Sequence, residues 1–451
     1  MIFYEMNKVG IPKGMNDFSP NQMVKRNYII SNIKKVFEQF GFMPIETPSI
    51  ENIETLQGKY GDEGDRLIFK ILNSGDFLSK VDIVANNTSK EISKKIVNKG
   101  LRYDLTVPLA RYVVQNKNDI TFPFKRYQIQ PVWRAERPQK GRYREFFQCD
   151  ADMIGTKSLI SEIELIQLVD NVFTLLALPN VILKVNNRKI LEGISEVIGA
   201  PEKLTDITIA LDKLDKIPIE KVEEELFSKG IAKKAIEKLN KIIISGDEIL
   251  KLRETLKDSL RAQEGIDELQ YIFKNIEKTN IKLSFVPTLA RGLDYYTGII
   301  FEAVCTTSSI GSILGGGRYD NLTGVFGLKD VSGVGLSFGL ERICLLLDNL
   351  NLFPKNIETF TQVMFVNFGN DCIVTAIKYS KELRNRGFSV EVYPDDVKLK
   401  KQLNYANKKK IPFVAIMGNE EIESKKISIK NMVTGEQILS DINGLVKILD
   451  K

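Results

Sequence analysis

Arg126-Tyr-Gln-Ile-Gln-Pro-Val-Trp-Arg134 runs through Ala-Glu-Arg-Pro-Gln-Lys-Gly-Arg142 into Tyr143-Arg-Glu-Phe-Phe-Gln-Cys-Asp-Ala-Asp152. The outer pieces, from Tyr127 to Met153, read as two long strands around a polar basic loop. Side chains alternate across a strand, so Arg126, Gln128, Gln130 and Arg134 share a face with Arg144, Gln148, Asp150 and Asp152 of the return strand. The other face of the return strand carries Tyr143, Phe147, Cys149 and Met153, which suits a core. Between 126 and 144 there are six basic residues and one acid. A planar guanidinium grips phosphate through two parallel hydrogen bonds, and Asp or Gln can hold an ammonium or an N–H. The polar face therefore suits a small zwitterion beside a polyphosphate. From spacing alone, a solvated sheet edge with charges set against aggregation fits equally well. The basic tip, Arg137 to Arg142, reads as a flexible loop able to meet a nucleic-acid end.

Around that hairpin lie 451 residues, enough for about three domains at roughly 150 residues each. Apolar residues make up 43% and charged residues 27%, which excludes wholesale disorder and fibrous repeats. No apolar run reaches the roughly 18–20 residues that span a bilayer, and the first ten residues show no secretory signal. The expectation is a cytoplasmic chain without a membrane. Four scattered cysteines (Cys149, Cys305, Cys344, Cys372) form neither a CxxC nor a finger spacing, in keeping with a reducing compartment and no zinc. The net charge of +6 permits a polyanionic partner without requiring one. The chain has no histidine, so imidazole bases, imidazole nucleophiles and His-bearing metal sites are all excluded.

Apolar spacing predicts a helix over 22–40, a strand then a helix over 101–117, an amphipathic helix over 158–176 and a short strand at 182–185. Residues 190–278 are rich in Lys, Glu, Ile and Leu and read as several helices with solvated faces. Glycine returns between 281 and 345 with strands and turns, and residues 351–361 look like a linker. Beyond it come strand 362–368, helix 371–386, strand 388–393, helix 397–408, strand 411–417 and a last strand–turn–strand–helix, an alternation that predicts a small α/β domain with a largely parallel sheet.

Six segments, in order, resemble the histidyl-tRNA synthetase family of class II aminoacyl-tRNA synthetases. Arg134-Ala-Glu-Arg-Pro-Gln-Lys-Gly-Arg-Tyr-Arg-Glu-Phe-Phe147 is similar to motif 2, and Gly41-Phe-Met-Pro-Ile-Glu-Thr-Pro-Ser-Ile-Glu51 to motif 1, the dimer element. Leu101-Arg-Tyr-Asp-Leu-Thr-Val-Pro108 resembles the segment that holds the amino acid's ammonium. Leu289-Ala-Arg-Gly-Leu-Asp-Tyr-Tyr-Thr-Gly298 and Gly315-Gly-Gly-Arg-Tyr-Asp320 resemble the two histidyl signatures. Gly333-Val-Gly-Leu-Ser-Phe-Gly-Leu-Glu-Arg342 resembles motif 3.

The resemblance implies an α+β catalytic domain, an antiparallel sheet flanked by helices, in two parts (1–190 and 279–352). It adds a helical insertion (191–278) and a C-terminal α/β anticodon-binding domain (361–451). It implies that Asp104, Leu105, Thr106 and Gln148 bind the ammonium end of histidine. Asp152, Tyr295, Tyr296 and Tyr319 would line the imidazole. Arg134 would hold the α-phosphate, Arg342 the γ-phosphate, and Glu136 and Arg142 would surround ATP. Arg291 would bridge the substrate carboxylate and α-phosphate, and Gln139 and Lys140 would touch tRNA. Asp104 and Thr106, two apart, are expected on one strand face, although a lone Asp there also fits a turn or cap. ATP enters as a substrate with Mg2+; no zinc, organic cofactor or protein metal ligand is expected. The implied partners are tRNA(His), histidine, ATP and a second copy in a homodimer.

The chain departs from many bacterial relatives at Ala135 and Phe147, where they carry histidines; neither position needs an imidazole for the roles above. The competing reading is a synthetase-like regulatory subunit of ATP phosphoribosyltransferase. Such paralogues usually lack the anticodon domain and the ATP-site arginines, whereas Arg134, Arg291 and Arg342 are all present here. The lysine-rich Asp396–Lys410 stretch reads as a solvated helix face or, by the resemblance, as part of a tRNA-binding surface.

Overall fold

The computed structural model describes residues 10–79, 88–214, 217–245, 248–290, 295–354, 357 and 359–450. Two compact units form: residues 26–352 with the segment before 18, and residues 353 onward with 18–25.

The large unit is built on an eight-stranded sheet. Its order is Met43–Pro44, Phe124–Trp133, Glu145–Ile154, Gly333–Gly339, Leu314–Tyr319, Ile299–Cys305, Val181–Asn187 and Lys282–Phe285. Only the two outermost pairings are parallel; the five inner ones are antiparallel. The basic hairpin supplies two interior strands that pair along their whole length, from Phe124↔Ile154 to Trp133↔Glu145. This overturns the solvated-edge reading: neither strand is an edge, and Arg126, Gln128, Asp150 and Asp152 are all buried.

Alternation divides the sheet into two environments. Cys149 pairs with Phe338 on the apolar face, and Phe338 packs against Phe37 at 6.0 Å and Phe173 at 5.5 Å between ring centroids. Helices Pro20–Gln39 and Ile160–Leu175 thus cover that face. The residues between, Gln148, Asp150 and Asp152, sit opposite Gly339, Ser337 and Gly335 and point the other way. A second, three-stranded sheet joins Ile50–Asn52, Val97–Leu101 and Lys70–Leu72. Between Asn187 and Lys282 the described chain is helical, with the 16-residue helix Leu260–Asn275 packed on helix Arg188–Val197.

Helix Thr106–Gln115 begins at Thr106, so Asp104 and Thr106 do not share a strand face as expected. Asp104 instead accepts the Val107 N–H at 3.1 Å, satisfying one of the donors left open at a helix N-terminus.

The smaller unit has a five-stranded sheet in the order Val390–Val392, Val363–Phe365, Phe413–Ile416, Ile427–Asn431, Gln437–Ser440. Its first two pairings are parallel and the last two antiparallel, so the expected largely parallel sheet is mixed. The antiparallel half begins where strand Ile427–Asn431 returns beside Phe413–Ile416 after the short helix Asn419–Glu423, and a hairpin to Gln437–Ser440 continues it.

Candidate active site

A cavity of about 440 Å³ opens on the polar face of the large sheet. Arg134, Glu136, Arg142 and Arg342 line it, as do Asp104, Thr106, Gln148, Asp152, Tyr295, Tyr296 and Tyr319. Five separate segments of sequence meet there. Leu105 is fully buried behind it and does not line it; its carbonyl faces Arg126 Nη2 at 3.4 Å. Gln139 and Lys140 sit exposed at the hairpin tip. Arg291 lies outside the described residues.

At one end, four phenols (Tyr60, Tyr295, Tyr296 and Tyr319) and three carboxylates (Asp104, Asp150 and Asp152) crowd together. Tyr295 packs 4.8 Å from Tyr296 and 6.1 Å, edge-on, from Tyr319. Tyr319 donates its hydroxyl to Asp152 Oδ1, and Arg126 Nη2 lies 2.8 Å from Asp152 Oδ2. Asp104 accepts from Tyr60 at 3.0 Å and lies 3.5 Å from the Tyr295 hydroxyl. Burial raises the Asp104 and Asp152 carboxyls above the usual carboxylate range, against the pull of their hydrogen bonds and guanidiniums. Burial also raises the hydroxyls of Tyr60, Tyr295 and Tyr319, so these stay neutral donors. The pocket floor consists of acceptors and O–H donors, and a ring with N–H and N groups matches that chemistry. Gln148 gives its amide N–H to Ser337 Oγ at 2.9 Å, while its Oε1 has no partner among the described residues and remains an acceptor for an ammonium.

Glycine makes the close approach possible. A Cβ on Gly335 would stand 1.9 Å from Asp152 Oδ1, and one on Gly317 would meet the Tyr296 ring at 2.7 Å. The neighbouring Arg318 points to the other face and grips buried Glu162 through two bonds, at 2.5 and 2.7 Å. Within one short signature, strand alternation gives Arg318 a structural task and Tyr319 a place in the cavity.

At the other end lie the cations. Arg134 anchors its Nε on the Tyr103 carbonyl at 3.1 Å and stacks over the Tyr103 and Phe146 rings at 4.3 and 5.1 Å. Stacking holds the plane of the fork, leaving it oriented for a planar or tetrahedral oxyanion. Arg342, in the first turn of helix Leu340–Asn349, donates Nε to the Gly141 carbonyl at 3.2 Å and Nη1 to the Ser312 carbonyl. This contact ties the hairpin tip to the helix. The tip is a tight turn closed by reciprocal Gln139 and Arg142 backbone bonds, with Gly141 at φ 74°, rather than an open loop. Glu136 pairs with Arg142. Next to Arg342, buried Glu341 accepts from Arg26 at 2.9 Å and from the Phe147 N–H at 3.1 Å, which fixes the strand just before Gln148.

The motif reading passed over several contributors. Arg126 and Asp150 were visible as polar-face residues, but nothing in the sequence gave them a task. Tyr60 comes from a stretch without a pattern of its own, and Arg102 and Tyr103 lie in the 101–108 segment, where no role falls on them. Arg102 is wholly buried, bonded to the carbonyls of Pro131 at 2.8 Å and Thr47 at 2.6 Å, and burial lowers it to about 10. Asp212, at the end of helix Leu204–Leu211, also reaches the cavity wall.

A family model described as histidyl-tRNA synthetase matches residues 14–343, and one described as an anticodon binding domain matches 362–451. The chain is 55% identical to the histidine–tRNA ligase of Christiangramia forsetii over 448 residues, covering 97% of this chain and 98% of the relative. It is 53% identical to that of Flavobacterium johnsoniae, covering 98% and 99%. The crystal structure of histidyl-tRNA synthetase from a Nostoc species superposes with a TM-score of 0.81 at 29% identity, over 98% of this chain and 99% of that one. Taken with a cavity that gathers residues from all of the catalytic motifs, these likenesses place the chain in the histidyl-tRNA synthetase family.

Proposed function

We propose that this cavity joins L-histidine to ATP and then passes the histidyl group to the 3′-terminal adenosine of tRNA(His). Histidine–tRNA ligase is the name of relatives more than half identical over nearly the whole chain. The observation that carries the reading is the cavity itself: an acid-and-phenol pocket at one end opens directly onto guanidiniums at the other.

In the first step, a carboxylate oxygen of histidine attacks the α-phosphorus, and the bond to the diphosphate oxygen breaks. Asp152, Tyr295, Tyr296 and Tyr319 hold the ring; Asp104, Thr106 and Gln148 hold the ammonium. Arg134 receives the α-phosphate, and Arg342 the far phosphates, with Glu136 and Arg142 around the nucleotide. Arg291 bridges carboxylate and phosphate. The nucleophile arrives already ionised, so the chemistry is alignment and charge stabilisation, without a side-chain base. In the second step, the terminal ribose hydroxyl attacks the acyl carbon, the bond from that carbon to the adenylate's phosphate oxygen breaks to release AMP, and the phosphate takes the hydroxyl's proton. Mg2+ enters with ATP, as part of that substrate. Among the described residues, no group of three His, Cys, Asp or Glu stands close enough to hold a metal.

The division into catalytic parts (1–190 and 279–352), helical insertion (191–278) and anticodon domain (361–451) belongs to the same reading, as do a cytoplasmic location and a homodimer. Exposed Met43 and Ile50, within the motif 1 stretch, support the dimer. No helix among the described residues is long and apolar enough to cross a membrane. The regulatory-subunit reading has less support, because the anticodon-type region is matched and Arg134 and Arg342 line the cavity. ATP–diphosphate exchange across the twenty amino acids tests the proposal. Exchange with histidine alone, followed by charging of tRNA(His), is expected; exchange driven by another amino acid, or none at all, overturns it.

A further inference from the structure

Six carboxylates line the cavity among the described residues, Asp104, Glu136, Asp150, Asp152, Asp212 and Glu341, and the roles proposed above leave Asp150 without a task. Asp150 lies on the same strand face as Gln148 and Asp152, one step from each, in register with Ser337 on one side and Gln128 on the other. It is 2% exposed, and its Oδ1 accepts no hydrogen bond among the described residues. No neighbouring donor bonds that oxygen, although Arg126 keeps Nε and Nη1 without partners among the described residues. Gln128 gives its amide N–H to Thr47 Oγ1 at 2.8 Å, and the fully buried Arg126 faces Asp152 at 2.8 Å. A buried carboxylate with an open oxygen is costly unless a cation meets it, and the open side here is the cavity.

We propose that Asp150 is a further histidine-binding residue, its open carboxylate oxygen facing the substrate's ammonium between Gln148 and Asp152. The inference rests on the reading that this pocket takes histidine. It has a consequence for protons. Burial pushes the Asp150 carboxyl up to about 7; Arg126 and the Ser337 hydroxyl pull it down, and Asp152 and Asp104 push it up. Arg102 and Cys149 complete the titratable groups that sense it. In the empty pocket near pH 7 Asp150 therefore carries a proton part of the time. An ammonium arriving beside it favours the ionised form, and the proton leaves to solvent. Histidine binding is thus coupled to proton release and tightens as the pH rises through about 7.

Calorimetric titration of the full chain with L-histidine, in two buffers of different ionisation enthalpy at pH 7, reads this directly. The wild type is expected to release about half a proton on account of Asp150. Asp150→Asn should lose that release and bind histidine about tenfold more weakly or worse, with ATP affinity unchanged; Asp150→Glu should recover part of both. Free histidine's own imidazole contributes equally to both proteins and cancels in the difference. An Asp150→Asn protein that binds as tightly as wild type, or releases the same proton, overturns the inference. If that variant does not fold, wild-type titrations at pH 6, 7 and 8 decide: proton release in excess of that from free histidine's imidazole, about half a proton at pH 7 and little at pH 8, supports it, and no such excess overturns it. Weakened binding in Asp152→Ala with none in Asp150→Asn removes only Asp150. A wild type that does not bind histidine removes the pocket reading and Asp150 with it.

Discussion

The polar face of the large sheet and the lysine-rich helix of the smaller unit are both charged, yet they are charged in opposite ways. On the sheet and beside it, Arg126, Asp104, Asp150 and Asp152 are buried, and the three carboxyls are shifted upward by the loss of water. On helix Leu399–Lys408 and its flanks, Lys398, Lys400, Lys401, Lys408, Lys409 and Lys410 are exposed, while Gln402 and Ala406 face inward. Charge at low dielectric has steep, short-ranged effects that depend on geometry; charge in water is shallow, additive and screened by salt. The first kind suits the choice and activation of a small substrate. The second suits a long polyanion, where affinity comes from many weak phosphate contacts.

The predictions follow that contrast, the largest effect first. Arg134→Ala and Arg342→Ala should each lower histidine-dependent exchange by about a thousandfold, the usual scale for one preorganised charge partner. A loss below tenfold would mean that the guanidiniums are packed for structure and not for the nucleotide. Truncation after about residue 360 should leave exchange within a few-fold while cutting tRNA charging by about a hundredfold, as expected when several phosphate contacts go together. Equal losses in the two assays would erase the distinction between the units. Asp152→Ala should raise the histidine KM by about tenfold to a hundredfold, the cost of leaving a buried polar partner unpaired. An unchanged KM would put ring recognition elsewhere.

Two smaller effects sharpen the comparison. Lys400→Gln with Lys401→Gln should weaken charging only a few-fold, and should lessen its salt dependence by about one unit of slope per lysine if each meets a phosphate. No change in slope would leave the helix as a solvated face. The sheet should instead respond to pH. The Asp150 carboxyl sits at about 7 in the fold, against 3.8 for an ordinary Asp. Between those values the folded chain holds a proton that the unfolded chain has released, so stability falls as pH rises through that window and stays lower above it. Asp150→Asn removes this penalty. Thermal melts should show the variant gaining on the wild type from pH 5 to pH 8, and a constant difference would contradict the buried-acid picture.

Much of this was legible in the sequence because it is local. The hairpin's alternation separated Cys149 and Met153 from Gln148, Asp150 and Asp152 as the structure does. The strand-and-helix alternation after residue 361 matches the elements observed, apart from the short helix Asn419–Glu423. The misses concern what one segment cannot know about another. Asp104 and Thr106 read as a strand pair because both suit an extended chain, but the helix begins at Thr106. The C-terminal sheet read as largely parallel because helices usually imply crossovers, but strand Ile427–Asn431 runs antiparallel to Phe413–Ile416 across the short helix Asn419–Glu423.

Sequence by itself determined which residue types could do the work: no imidazole anywhere, guanidiniums in three motifs, and acids and phenols at fixed spacings. Those are properties of covalent order and strand period, and they survive without a fold. Only the tertiary structure decided that Arg102 and Arg126 are buried, that Arg342 reaches the hairpin tip through Gly141, and that Asp150 stands in the pocket with an open oxygen. The reason is physical. Burial, and the pairing that makes it tolerable, depend on distances between residues remote in the chain, and no window of sequence contains those distances.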